Sequence, residues 1–203
     1  SIEDCAKLLK IRGELMQNAY PENKSGMAAV IGLNCNSVEK IILENSIDID
    51  VANDNTESQV VISGIIENLK KFEALLIKSG AKKIHYLKVS AAFHSKLMKI
   101  AEEKMKDILL KINFNDSLYF VISNFSASSS KDKNIIFNSL SKQMSNKVRW
   151  LDSIKLVESS NENKIIEIGP GRVLSGIIRK IFPNIKSYNI NKIEDIEILK
   201  KEL

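Results

Sequence analysis

The order of segments between residues 26 and about 90 constrains this chain more than any other feature. Short apolar runs and helical patterns follow one another there as strand, helix, strand, strand, helix, strand. Met27–Leu33, Asp48–Ala52, Gln59–Ser63 and Lys82–Val89 read as strands, because each is a brief apolar or β-branched run bounded by polar or turn residues. Ser37 is expected to cap a helix reaching about Glu44. Ile65, Leu69, Phe72 and Leu76 recur on one face of a second helix that Gly80 stops.

This βαββαβ order predicts a ferredoxin-like unit. Before it, residues 2 to about 20 form a helical pattern, with Ser1 as cap, Glu3 and Asp4 in the first turn, and Cys5, Leu8, Leu9, Leu15 and Met16 as an apolar stripe. Pro21 and Gly26 mark the connector. After it, Ser95 opens a helix whose apolar face carries Leu97, Met98, Ala101, Met105, Ile108, Leu109 and Ile112. Then come a strand at Leu118–Ser123, a polar loop at 126–133, and helices near 134–145 and 150–160. A buried strand at Lys164–Ile168, a Gly169-Pro-Gly171 turn, a helix at Val173–Ile181, a strand at Ile185–Ile190 and a final helix complete the chain. The alternation predicts an α/β layer.

Composition narrows the function classes. Of 203 residues 44% are apolar and 27% charged, with no apolar run near the ~18 residues of a membrane span, so no membrane insertion is expected. The net charge of +5 is spread along the chain, and only Arg12, Arg149, Arg172 and Arg179 carry a guanidinium. Abundant Lys, Asn and Ile fit an AT-rich coding bias. Gln59–Ser63 has no aromatic residue for base stacking, which argues against nucleic acid. Cys5 and Cys35 form no Cys-x-x-Cys pair and read as free thiols, and two histidines make no metal-ligand cluster; no metal is expected.

Two residues stand out chemically. Arg12 lies in an apolar stripe, four residues after Leu8 and four before Met16, where a guanidinium is costly unless an anion meets it. Arg12 therefore either snorkels to solvent, pairs with a carboxylate of the fold, or captures a ligand carboxylate, for which its planar fork suits bidentate binding. His94 stands between a predicted strand and a predicted helix, where open α/β folds place their sites, and a neutral imidazole there is either a structural hydrogen-bonding group or a general base. His85, mid-strand among lysines, reads as structural. The polar stretch Asn53–Ser58 is expected to be a loop whose amides either make turns or bind polar groups.

Taken in order, Arg12-Gly-Glu-Leu-Met16 with Gly26-Met-Ala-Ala-Val30, Asn53 to Gly64, Ala92-Phe-His-Ser95 with Leu97-Met98, Val148-Arg-Trp150, and Glu167-Ile-Gly-Pro-Gly171 with Val173-Leu-Ser-Gly176 resemble the malonyl-CoA:acyl carrier protein transacylases and related acyltransferase domains. The resemblance covers nearly the whole chain and corresponds to the C-terminal two-thirds of that family. It implies an α/β-hydrolase-like core, here incomplete (residues 1–25 and 89–203), interrupted by a ferredoxin-like subdomain (26–88).

The resemblance also implies a reaction. A serine is acylated by malonyl-CoA and the phosphopantetheine thiol of acyl carrier protein collects the malonyl group, with no cofactor beyond these substrates. His94 matches the base, and Gln143 matches the residue whose main-chain carbonyl orients it. Arg12 matches the residue that binds the malonyl carboxylate, a contact worth ~1.5–3 kcal/mol. Phe93 matches the malonyl-selecting residue, and Asn55 and Gln59 match amides at the mouth of the site. The family's Gly-His-Ser-Leu-Gly elbow and N-terminal Gly-Gln-Gly segment have no counterpart here, so the chain by itself is expected to be inactive. Glu57 and Lys147 replace family prolines. The partners implied are acyl carrier protein and malonyl-CoA, with a monomer expected, in a bacterial cytoplasm or a plastid-type organelle. The competing reading is a non-catalytic acyl-CoA or acyl-carrier-protein binder that lacks the nucleophile.

Overall fold

A strand buried on both faces needs a layer on each, and β1 has them. In the computed structural model, which describes residues 1–160 and 162–202, β1 (Ser25–Ile31), β2 (Ile49–Thr56), β3 (Gln59–Ile65) and β4 (Lys83–Tyr86) form a sheet of order β2-β3-β1-β4, every pair antiparallel. Helices α2 (Cys35–Glu44) and α3 (Ile66–Lys78) complete a βαββαβ unit. Ala28, Val30, Val60 and Ile62 point to these helices and pack with Val38, Leu69, Phe72 and Leu76. The intervening Met27, Ala29 and Val61 face the other way, where they meet Leu87 and Phe93.

Two expectations about this unit change. Asn53–Ser58 is not a loop: β2 runs through to Thr56 and only Glu57 and Ser58 separate it from β3. Register shifts between Val51 and Asn53 and between Asp54 and Thr56 mark bulges, which let a polar run stay in the ladder. The cap of α2 is Asn34, whose side chain accepts the Ser37 N–H at 2.8 Å, so Ser37 sits inside the first turn.

Outside the sheet, α1 (Ile2–Gln17) has the predicted capping box between Ser1 and Asp4. Its packed stripe is Leu8, Ile11, Leu15 and Met16, against α4 (Lys99–Leu109) through Ala101, Met105 and Leu109. Leu9 is 66% exposed and Cys5 is exposed, so neither of these expected stripe residues joins the packed cluster. The expected strand at Leu118–Ser123 shortens to β5 (Val121–Ser123), which pairs with β6 (Ser128–Ser130) inside the expected loop. Helices α5 (Lys133–Lys142) and α6 (Trp150–Ser159) follow. Among the described residues no helix is long and apolar enough to cross a membrane.

The chain divides into two units, Ser1–Ser153 and Ile154–Leu203. In the second, β7 (Lys164–Ile168) and β8 (Lys186–Ile190) are parallel, joined through α7 (Val173–Ile181), and α8 (Ile193–Glu202) closes the unit. The Glu167 carboxylate accepts the N–H groups of Leu174 and Ser175 and the Ser175 hydroxyl, an acidic cap on α7. The expectation that β7 is buried fails: Ile166 is 40% and Ile168 79% exposed, because α7 and α8 pack on β8.

Candidate active site

His94 is built into a strained corner. The segment leaving β4 is tied down where the Ala92 N–H donates to Ser25 Oγ at 3.2 Å, and the turn after it where the Lys96 N–H donates to Asp50 at 3.0 Å. Between these anchors His94 has φ +57°, a conformation uncommon outside glycine. Ser95, fully buried, donates its hydroxyl to the Ala92 carbonyl and locks the corner at 2.7 Å.

The 143–149 segment then meets His94 twice. The His94 N–H donates to the Met144 carbonyl at 3.2 Å, and His94 Nδ1 lies 2.9 Å from the Gln143 carbonyl. A carbonyl only accepts, so Nδ1 carries the proton and Nε2 keeps its lone pair free for a substrate proton. The Gln143 side chain takes no part in that contact; its amide donates to the Asn146 carbonyl at 3.3 Å. The same segment is stitched to β2, with the Asp54 N–H donating to the Val148 carbonyl and the Val148 N–H to the Ala52 carbonyl. Gln143 also borders a cavity of ≈ 230 Å³ lined by Ile122, Ser139 and Leu140.

Burial pushes the His94 pKa below its ordinary value. The backbone of Gln143 pulls it up, the positive charge of Arg12 pushes it down, and the backbone of Asn146 pulls it up. The Arg12 charge therefore reaches the imidazole from α1. Arg12 itself is half-buried, and among the described residues it has neither an ion pair nor a hydrogen bond; burial lowers its pKa without removing the charge. A guanidinium half-withdrawn from water with no ion pair among the described residues is costly, and an incoming anion would offset that cost.

The other expected residues are distributed unevenly. Phe93 packs between the lower face of the sheet and the α1–α4 cluster, next to His94. Gln59 pairs with Ile31 at the start of β3, on the sheet face that Phe93 covers. Asn55, 9% exposed, is the extra residue of the second bulge. Neither amide hydrogen-bonds His94, Arg12 or Gln143 among the described residues.

Three contributors escaped the sequence. Glu102 is 3% exposed on α4 and accepts the Ser145 N–H at 2.9 Å and the Lys99 ammonium at 2.8 Å. An acid flanked by Met98, Ala101 and Met105 breaks an apolar face as Arg12 does, and that signal was available. Lys147 reaches Glu39 at 2.7 Å and Cys35 Sγ at 3.2 Å, while burial pushes the Cys35 thiol up to about 11. Asp54, facing α2, has a buried oxygen with no hydrogen-bond partner among the described residues, and burial raises its pKa. Among the described residues no group of three His, Cys, Asp or Glu is placed to hold a metal ion.

A mixed α/β chain with a half-buried guanidinium, unpaired among the described residues, and a carbonyl-oriented imidazole fits an acyl-transferring class of protein. The acyl transferase domain family matches residues 1–199, and the chain belongs to that family. It is 36% identical over 204 residues to the malonyl CoA-acyl carrier protein transacylase of Staphylococcus aureus (strain MRSA252), covering 97% of this chain and 65% of that protein. The crystal structure of the acyl-carrier-protein S-malonyltransferase of Bartonella henselae superposes with a TM-score of 0.92 at 36% identity, covering 100% of this chain and 65% of that one. A malonyl-transacylase solved in complex with its type II PKS acyl-carrier protein superposes with a TM-score of 0.91 at 29% identity, over 97% of this chain and 64% of that one. The chain thus spans just under two-thirds of the length of the relatives it matches.

Proposed function

We propose that this chain supplies the carboxylate-binding and proton-transferring part of a malonyl-CoA:acyl carrier protein transacylase of type II fatty-acid synthesis. The observation that carries the reading is Arg12: a half-buried guanidinium with no ion pair among the described residues, whose charge is felt by His94. In this reading the core is α/β-hydrolase-like, formed in part by residues 1–25 and 89–203, and residues 26–88 are a ferredoxin-like insertion. The sheet order β2-β3-β1-β4 supports the second half of that statement.

The chemistry follows from the two groups. Arg12 grips the malonyl carboxylate through paired N–H donors. His94 Nε2 takes the proton of a serine supplied from sequence upstream of Ser1, the serine oxygen attacks the thioester carbonyl, and the imidazolium returns the proton to the departing coenzyme A sulfur. In the second half the imidazole takes the proton of the carrier's phosphopantetheine thiol, whose sulfur attacks the malonyl ester, and the imidazolium returns that proton to the departing serine oxygen. Gln143 holds the ring through its main-chain carbonyl, Phe93 crowds the acyl α-carbon, and Asn55 and Gln59 line the mouth. No resident cofactor is required. Carrier binding by the complexed relative and the bacterial origin of the named relatives support acyl carrier protein as partner and a bacterial cytoplasm as location.

Calorimetric titration tests the carboxylate site directly. The chain should bind malonyl-CoA more tightly than acetyl-CoA, and Arg12→Ala should abolish the difference, about tenfold or more. Equal affinity for the two thioesters in the unaltered chain would overturn the reading. Radiolabelled malonyl-CoA should leave this chain unlabelled and should label it stoichiometrically once the upstream segment with its serine is joined.

A further inference from the structure

Glu102 is the one carboxylate of α4 withdrawn from water, with its side chain 4% exposed, and it is aimed at the segment that faces His94. One oxygen takes the Ser145 N–H at 2.9 Å; the other takes Lys99, whose own side chain is 59% exposed. Ser145 follows Met144, which receives the His94 N–H, and Gln143, which receives Nδ1; Asn146, next in the chain, accepts the Gln143 amide and also bears on the imidazole through its backbone. The turn at 143–146 thus follows the end of α5 and leads into the pairing with β2, and its middle is pinned by a single buried carboxylate.

We infer that Glu102 is a positioning residue: by holding the Ser145 amide it fixes the turn that presents the Gln143 carbonyl to His94, and so sets the tautomer and aim of the imidazole. Burial alone would favour the protonated acid, but the bonds from Lys99 and from Ser145 outweigh it and keep the carboxylate ionised, the form that accepts most strongly. An ionised acid buried on an apolar helix face costs stability, and the Lys99 ammonium is too exposed to offset much of it. A helix merely packing against α5 would do better with alanine or leucine at this position. The function of the carboxylate is the turn it holds.

This inference rests on His94 being the working base, but its test does not use acyl transfer, so the two fail separately. The chain has only two histidines, and His85, paired with Ala29 in the sheet, serves as internal reference. Nitrogen-15 chemical shifts report each ring's tautomer and titration. In the unaltered chain His94 should be the Nδ1–H tautomer. In Glu102→Ala the turn is released, the carbonyl no longer supports the imidazolium, and the His94 pKa should fall by about half a unit or more with loss of the Nδ1–H preference. Arg12, whose charge lowers the His94 pKa, is untouched in this variant.

Glu102→Gln, whose side-chain carbonyl still accepts the Ser145 N–H, should restore both properties, and Lys99→Ala should leave both unchanged. Glu102→Asp, which keeps the charge but withdraws it from Ser145, should shift His94 in the same direction as alanine and decides the matter if the alanine variant does not fold. A folded Glu102→Ala or Glu102→Asp with unaltered His94 tautomer and titration, or equal shifts at His85, would overturn the inference.

Discussion

Arg12 and His94 come from separate segments of the chain, and the guanidinium adds to burial in holding the imidazole below its ordinary pKa of 6.5. The sign of the pH dependence follows. The native ring binds its proton more weakly than the unfolded one, so the unfolded chain holds more protons once the pH drops toward 6.5. Stability should be level above neutrality and fall as the pH passes from 6.5 down through the native pKa. Thermal denaturation across that range checks it, with Arg12→Met expected to raise the His94 pKa and lessen the fall.

Arg12→Met should also make the protein more stable at pH 7, by about 1 kcal/mol, since it replaces an unpaired half-buried charge by a side chain suited to the Leu8–Leu15 stripe. Urea denaturation measures this. A loss of stability would mean that the guanidinium serves the fold and not a ligand.

At the start of α2, Asn34→Ala should cost about 1 kcal/mol because it removes the acceptor of the Ser37 N–H. Ser37→Ala, by contrast, should be close to neutral. The reverse ranking in chemical denaturation would restore Ser37 as the cap.

Phe72 is 0% exposed at the centre of the helix face of the sheet. Phe72→Ala should cost about 3–5 kcal/mol, large against the whole stability of a domain. Hydrogen exchange should register the loss first in β1 and β3, whose residues pack on that ring.

How much of this was legible follows from range. The order of elements in residues 26–90 was, since period-2 and period-3.6 patterns are local, and Arg12 and His94 were visible as residues out of keeping with their surroundings. What escaped depends on partners distant in sequence. The polar Asn53–Thr56 reads as a loop until β3 and the 143–149 segment bind it on either side. Leu9 joins a plausible stripe until α4 selects the face with Ile11. The carbonyl that orients His94 carries no side-chain signature at all, and only the family resemblance pointed to Gln143.

The pairing of Val148 with Ala52, Asn53 and Asp54 has a consequence for association. β2 is an outer strand of its sheet, the place where a second chain adds most readily. Two of its outward backbone groups, the Asp54 N–H and the Ala52 carbonyl, are taken by the same stretch of polypeptide that contacts the His94 ring, so a copy growing onto that part of the rim must first dislodge this segment. Protection of this stretch of edge and the orientation of the His94 ring are therefore lost or kept together.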